Sequence, residues 1–259
     1  MYSLIMILNV TESGAAAPLV LLHGLFGAAR NLGVLMRALS PFYRVIALDL
    51  RNHGNSLHDR LMDYPTMAAD VAETLEHLGL SRVRLCGHSM GGKTAMTLAL
   101  TRPELVEQLA VMDIAPISYQ HNYAALTKVM LSIPLSPQLT RAQAERALAD
   151  IVKDAPMRAF LLNNLVLGEE PRWRVGLAEI NANMENLLRW DDPPALRPYF
   201  GPALFLCGAN SDYVPASAKP AVMERFPHAR IDYIEGAAHW LHADKPEQVS
   251  TALQEFFAS

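Results

Sequence analysis

Short, uninterrupted apolar runs alternate along this chain with stretches in which apolar residues recur every three or four positions. Leu19-Val20-Leu21-Leu22, Arg44-Val45-Ile46-Ala47-Leu48-Asp49, Val83-Arg84-Leu85-Cys86, Leu109-Ala110-Val111-Met112-Asp113 and Ala203-Leu204-Phe205-Leu206-Cys207 are runs of the first kind. Runs so short and so apolar read as strands buried on both faces, as in a parallel sheet covered by helices. Helical patterns lie between them: about Leu32 to Leu39, Gly91 to Leu100, and Thr66 to Leu78, where Met67, Val71, Leu75 and Leu78 share a face. Met1 to Val10 reads as an edge strand and Thr11 to Pro18 as a loop of small residues. Near the other end come a short helix at Ala218 to Phe226 interrupted by Pro220, a last strand at Ala229 to Ile234, and an amphipathic helix at Pro246 to Phe257. Strand and helix in alternation predict an α/β protein with a mostly parallel sheet flanked by helices.

The rhythm changes from Pro116 to about Phe200, where strand signals stop. Tyr119 to Ser132 is helical in pattern. Thr140-Arg141-Ala142-Gln143 is a capping box, expected to open a helix running to about Lys153. Met157 to Leu167 and Trp173 to Trp190 also carry helical spacing. The expected organisation is a core built from residues 1–116 and 201–259, with residues 117–200 inserted between two late strands as a helical cap, or lid, over the strand ends.

The 259 residues, 51% hydrophobic and 19% charged, suffice for a large core without disulfides or metals. A net charge of −4 with no long run of either sign argues against nucleic acid as a partner. The two cysteines, Cys86 and Cys207, end strands that should have another strand between them. At about 4.8 Å per strand they would be too far apart to bridge, which suits a reducing compartment and a cytoplasmic location. The apolar start of the chain is too short and lacks the basic head of a signal peptide. No uncharged apolar stretch reaches the length of a membrane span.

The chemistry centres on Gly87-His88-Ser89-Met90-Gly91. With a strand before it and a helix after it, this G-x-S-x-G is a nucleophile elbow: a turn so tight that side chains at Gly87 and Gly91 would strike neighbouring backbone. Ser89 is held there with its hydroxyl clear of the sheet. A serine hydroxyl needs a base, and an acid to orient that base. His239, in the glycine-flanked loop after the last strand, is the expected base, with His242 as rival inside the following helix. His23 and His88 flank tight turns and should hydrogen-bond locally. His53 is expected near the mouth of the site, and His58, His77, His121 and His228 at the surface.

Two aspartates compete for the acid. Asp113 directly ends its strand. Asp212 lies in Gly208-Ala209-Asn210-Ser211-Asp212-Tyr213-Val214-Pro215, one place out of register with a G-x-x-D-x-x-V-P pattern whose acid slot holds Ser211. Asp113 is therefore the expected acid and Asp212 the alternative. Backbone N–H groups of Met90 and Leu25 are the expected oxyanion donors. Leu126, Met130, Phe160 and Leu161 are candidates for an apolar acyl pocket.

Taken together, His23-Gly24-Leu25-Phe26-Gly27, Arg51-Asn52-His53-Gly54, Gly87 to Lys93, Asp113-Ile114-Ala115-Pro116 and Gly236-Ala237-Ala238-His239-Trp240 resemble the α/β-hydrolase superfamily over nearly the whole chain. Within it, the chain resembles the YbfF-type bacterial esterases and their mitochondrial relatives, the abhydrolase-domain-eleven proteins. The resemblance implies a Ser–His–Asp serine hydrolase, a carboxylesterase acting on short acyl esters under a helical cap, with no cofactor or metal. In that group the later acid slot often lacks an aspartate, which agrees with Asp113; the Asp212 found here departs from it. Thioesterase, lactonase and carbon–carbon bond hydrolase are alternatives with the same triad, and an inactive hydrolase fold serving as a binding module is the non-enzymatic one. Ser89 argues against a dehalogenase or an epoxide hydrolase, which need an aspartate at the elbow.

Overall fold

The structure is a computed structural model that describes residues 6–120, 123–192 and 197–259. Its strands are β1 (Asn9–Ser13), β2 (Pro18–Leu22), β3 (Arg44–Asp49), β4 (Val83–His88), β5 (Val106–Met112), β6 (Leu165–Val166), β7 (Arg172–Trp173), β8 (Ala203–Gly208) and β9 (Ala229–Ile234). The helices are α1 (Gly33–Leu39), α2 (Tyr64–His77), α3 (Met90–Thr101), α4 (Tyr123–Ser132), α5 (Arg141–Leu148), α6 (Ala155–Leu162), α7 (Leu177–Ala182), α8 (Met184–Leu188), α9 (Lys219–Arg225), α10 (Leu241–Asp244) and α11 (Pro246–Phe257). Seven strands form one sheet in the order β1-β3-β2-β4-β5-β8-β9. Every neighbour pair is parallel except β1 with β3. β6 and β7 form a separate antiparallel pair.

The apolar strands are buried on both faces, as their composition requires. Val20, Leu22, Ile46, Leu85 and Val111 face one core, which α2 and α3 cover. Leu19, Leu21, Val45, Ala47, Cys86 and Ala110 face a second core closed by α1 and α11. Each fully buried Leu, Ile or Val contributes about 1.5–3 kcal/mol, so the sheet is the stable frame of the molecule. β5 lies between the strands carrying Cys86 and Cys207, and both thiols are free and buried.

Several elements depart from the sequence reading. The edge strand lies at Asn9–Ser13, later than expected, and the first five residues of the expected span lie outside the described residues. Met6 and Leu8 instead pack inward, and their N–H groups donate to the side chains of Asp70 (3.1 Å) and Thr74 (3.0 Å) on α2. α5 opens at the Thr140 capping box but ends at Leu148. The next helix opens close behind it, with Asp154 as an extended N-cap (φ −75°, ψ 121°) whose side chain accepts from Met157 N, so the chain leaves the helical conformation between the two. That helix, α6, stops at Leu162 and is followed by the unexpected β6–β7 pair, with Gly168 at φ 124° in the turn between the two strands. The expected helix over Trp173 to Trp190 splits into α7 and α8 at Asn183, whose side chain donates to Arg60 O (2.7 Å) and accepts from Met62 N (3.2 Å). Pro220 sits in the first turn of α9 and starts that helix where an interruption was expected.

Parallel strands put all their carboxyl ends on one edge. The segments after β2, β4, β5, β8 and β9 therefore meet there, and so do the residues singled out in the sequence. The segment between β5 and β8, carrying α4–α8 and the β6–β7 pair, lies against that edge.

Candidate active site

At the end of β4 the backbone turns sharply, and Ser89 has φ 53° and ψ −118°. A non-glycine residue there is strained by about 1–3 kcal/mol, which the surrounding packing must hold. A Cβ on Gly87 would stand 2.2 Å from Gly91 O, and one on Gly91 would stand 2.5 Å from both Leu22 O and His23 O. Only glycine lets β4, α3 and the loop after β2 approach this closely, as the sequence pattern implied. Ser89 N donates to Met112 O (3.0 Å), which fixes the elbow to β5.

His239 reaches Ser89 from the loop after β9. Its Nε2 lies 3.0 Å from Ser89 Oγ and its Nδ1 lies 2.8 Å from Asp113 Oδ2. A carboxylate only accepts, so Nδ1 carries the proton and Nε2 is left to accept from the serine. Asp113 is fully buried directly after β5, itself at φ 52°. Gly208 N donates to its Oδ1 (2.9 Å), and Ser211 Oγ donates to the Oδ2 that also faces the imidazole (2.5 Å). The residue in the expected acid slot after β8 thus supplies a hydroxyl to the carboxylate that ends β5. Asp212, the alternative acid, is exposed, and the carboxylate hydrogen-bonded to His239 Nδ1 is that of Asp113. His242, the alternative base, lies in α10 and is buried against the His88 ring, with centroids 4.6 Å apart. Burial holds its pKa down to about 4.

A stacked Tyr213 ring, 3.6 Å between centroids and 13° from parallel, covers one face of the His239 imidazole. His88 Nε2 donates to His239 O (2.8 Å), so the backbone of the imidazole residue is tied to the elbow. Burial lowers the His88 pKa well below its usual value, and that ring stays neutral.

Neither Leu25 N nor Met90 N has an acceptor among the described residues, and both residues line the space beside Ser89. Two histidines clamp the Leu25 loop. His23 Nδ1 donates to Gly24 O (2.8 Å) while its Nε2 accepts from Leu50 N (3.0 Å). His53 Nδ1 donates to Arg51 O (2.9 Å) while its Nε2 accepts from Phe26 N (3.1 Å). Both rings are buried and neutral, the His53 pKa being lowered by burial to about 3. His53 is therefore a fastening between two loops, not a residue at the mouth as expected. The sequence offered no local signal for this, because the N–H that His53 accepts belongs to the loop after β2.

His58, His77 and His228 are exposed as expected, and His121 lies outside the described residues. Of the four apolar candidates, only Phe160 lines the pocket beside Ser89 and His239, together with Met157, Trp240 and Leu25. Leu126, Met130 and Leu161 are buried in the apolar cluster instead, because they occupy the inward faces of α4 and α6. Among the described residues no group of three or more His, Cys, Asp or Glu could hold a metal ion. No helix among them is long and apolar enough to cross a membrane.

The sequence pattern of the Alpha/beta hydrolase family matches residues 19–252, nearly the whole chain. The protein belongs to the alpha/beta hydrolase family. Within that family, it is 44% identical over 251 residues to the sn-1-specific diacylglycerol lipase ABHD11 of Xenopus laevis, covering 93% of this chain and 80% of that one. It is 36% identical over 241 residues to Esterase YbfF of Escherichia coli, covering 93% and 92% of the two chains. Among solved structures it is similar to a marine microorganism esterase, with a TM-score of 0.92 and 35% identity over 96% of this chain and 98% of that one. The alpha/beta hydrolase frame thus agrees with the fold, and the resemblance to YbfF and the abhydrolase-domain-eleven proteins is that of measurable relatives.

Proposed function

We propose that this protein is a serine carboxylesterase acting on short-chain acyl esters. The observation that carries the reading is the unbroken line of hydrogen bonds from Ser89 Oγ through His239 to Asp113, ending on a carboxylate held by two further donors. Ser89 Oγ attacks the acyl carbon while His239 Nε2 takes its proton. The imidazolium formed is stabilised by Asp113, which keeps its negative charge, and by the face of Tyr213. Leu25 N–H and Met90 N–H donate to the oxyanion. His239 then gives its proton to the departing alcohol, leaving the acyl group on Ser89. A water activated by the same ring breaks that ester and frees the acid. Residues 117–200 act as a lid on a core of residues 1–116 and 201–259, and Phe160 and Met157 wall the pocket from the lid side. The relatives, two esterases and a diacylglycerol lipase, support the reading of ester cleavage.

The test is a series of p-nitrophenyl esters from acetate to laurate, assayed with the wild type and with Ser89→Ala. The expected result is turnover that is fastest for the short acyl chains, and a loss of at least about 10⁴-fold in kcat for Ser89→Ala. A variant that retains wild-type rates, or a wild type inert on every ester, would leave the binding-module alternative. Faster cleavage of the matching thioesters would convert the reading to a thioesterase.

A further inference from the structure

Lys93 borders the site, yet the ester chemistry above gives it no task. It lies on α3 one turn after Ser89, and helical side chains lean back toward the N-terminus, so its stem climbs toward the elbow. The residue is 1% exposed. Its Nζ donates to Leu188 O (3.2 Å) and Arg189 O (2.9 Å) at the end of α8. It also stands 5.3 Å from the centroid of the Tyr64 ring and 4.8 Å from that of Tyr119. Burial draws its pKa down to about 7, with only Asp191 acting through space in the other direction. Lys93 forms no ion pair among the described residues.

The space that Lys93 borders opens onto Ser89, Leu25 and Met90, and no Asp or Glu lines it. Two neutral carbonyls engage two of the three ammonium protons but leave the charge unbalanced. A buried cation with no ion-pair partner is costly, and a ligand that brings a carboxylate relieves that cost while gaining a charge-assisted hydrogen bond. A group needed only to hold two carbonyls together would not have to be charged. The remaining lining is apolar or phenolic, including Ile114, Leu187, Tyr123 and Tyr213, and suits a short hydrocarbon link.

We propose that this pocket receives the acyl part of the ester and that the Lys93 ammonium binds a carboxylate at its far end, so that the preferred substrates are half-esters of short dicarboxylic acids. This rests on Ser89 being the nucleophile, as proposed above. The experiment compares monomethyl glutarate with methyl 5-methylhexanoate, in which an isopropyl group replaces the carboxylate, by pH-stat at roughly pH 6.5, where an ordinary carboxylate is ionised. The wild type should favour the half-ester by at least about 10-fold in kcat/KM, the scale of one charge-assisted hydrogen bond. Lys93→Gln keeps a donor for the α8 carbonyls and removes the charge, and its ratio should fall to about one or below; Lys93→Met serves the same purpose should that variant not fold. A wild-type ratio of about one or less overturns the inference with no variant needed. So does a strong preference that a folded Lys93→Gln retains. Turnover of the neutral ester in these outcomes leaves the esterase reading standing. Failure of both esters and of p-nitrophenyl butyrate overturns that reading and this one together.

Discussion

The carboxyl edge of the sheet and the β5–β8 segment laid against it are fastened in different ways. At the edge, backbone does the holding. Ser89 and Asp113 sit at positive φ directly after their strands, Gly87 and Gly91 allow contact closer than any side chain permits, and buried His23 and His53 each join two loops through N–H and C=O groups. The β5–β8 segment is joined to that frame largely by single long side chains that end on carbonyls. Tyr64 Oη donates to Leu187 O (2.6 Å), Asn164 Nδ2 to Phe26 O (2.7 Å), and Lys93 to the end of α8. Each such bond contributes only about 0.5–1.5 kcal/mol net. Ser89, His239 and Asp113, which the proposed mechanism uses for proton transfer, are thus fixed by the sheet, while the β5–β8 segment proposed as a lid is fixed by replaceable contacts.

The largest predicted effect breaks the first kind of fastening at its acid. Asp113→Asn should lower kcat by about 10⁴-fold with little change in KM, because an amide facing Nδ1 favours the wrong tautomer. Asp212→Asn should change kcat by less than about 3-fold, since surface substitutions away from the site perturb little. Steady-state kinetics on one p-nitrophenyl ester decides the ranking. A larger loss for Asp212→Asn would mean that the β8 loop, not the end of β5, supplies the acid.

The next effect concerns stability. Arg51 and Asp70 are both fully buried and joined by paired bonds of 2.6 and 2.7 Å, tying the loop after β3 to α2. Arg51→Leu strands the Asp70 carboxylate and should cost about 3–5 kcal/mol in urea unfolding. Tyr64→Phe, which removes one bond to the β5–β8 segment, should cost about 1 kcal/mol. Equal losses would erase the contrast between frame and attached segment.

What the sequence disclosed follows the same division. Strands buried on both faces announce themselves as apolar runs, and the elbow glycines have a steric reason that can be read from five residues. Register along a tight loop ranks Asp113 above Asp212 as the expected acid, and in the structure Asp113 Oδ2 lies 2.8 Å from His239 Nδ1. The β5–β8 segment was harder to read. Thr140 marked the start of α5 through local chemistry, but its end depended on Asp154 and Pro156 opening the next helix. Asn183 broke a helical pattern to satisfy Arg60 O and Met62 N, groups more than a hundred positions away in the chain. The role of His53 was equally hidden, since the N–H it accepts from belongs to another loop. Local patterns carry helix starts and turns; long-range partners of polar side chains leave no local trace.

A pH-dependent effect sits where the two regions meet. Lys93 belongs to the frame by its backbone and to the β5–β8 segment by its ammonium. Its pKa is lowered in the folded protein from 10.5 to about 7, chiefly by burial. In the unfolded chain the lysine keeps its proton up to its ordinary pKa, so between those two values the unfolded state binds more protons than the folded one. Stability contributed by this group therefore rises with pH across that window and is flat below it. Comparing wild type with Lys93→Met cancels the other titrating groups. The difference in unfolding free energy should shift in favour of the wild type by roughly 1 kcal/mol per pH unit above neutrality, and should be constant from about pH 5 to 6.5. Urea titrations at a series of pH values measure it. A difference that stays constant through pH 9 would mean that the ammonium keeps its proton in the fold, as it would if water reached it or if Asp191 closed on it.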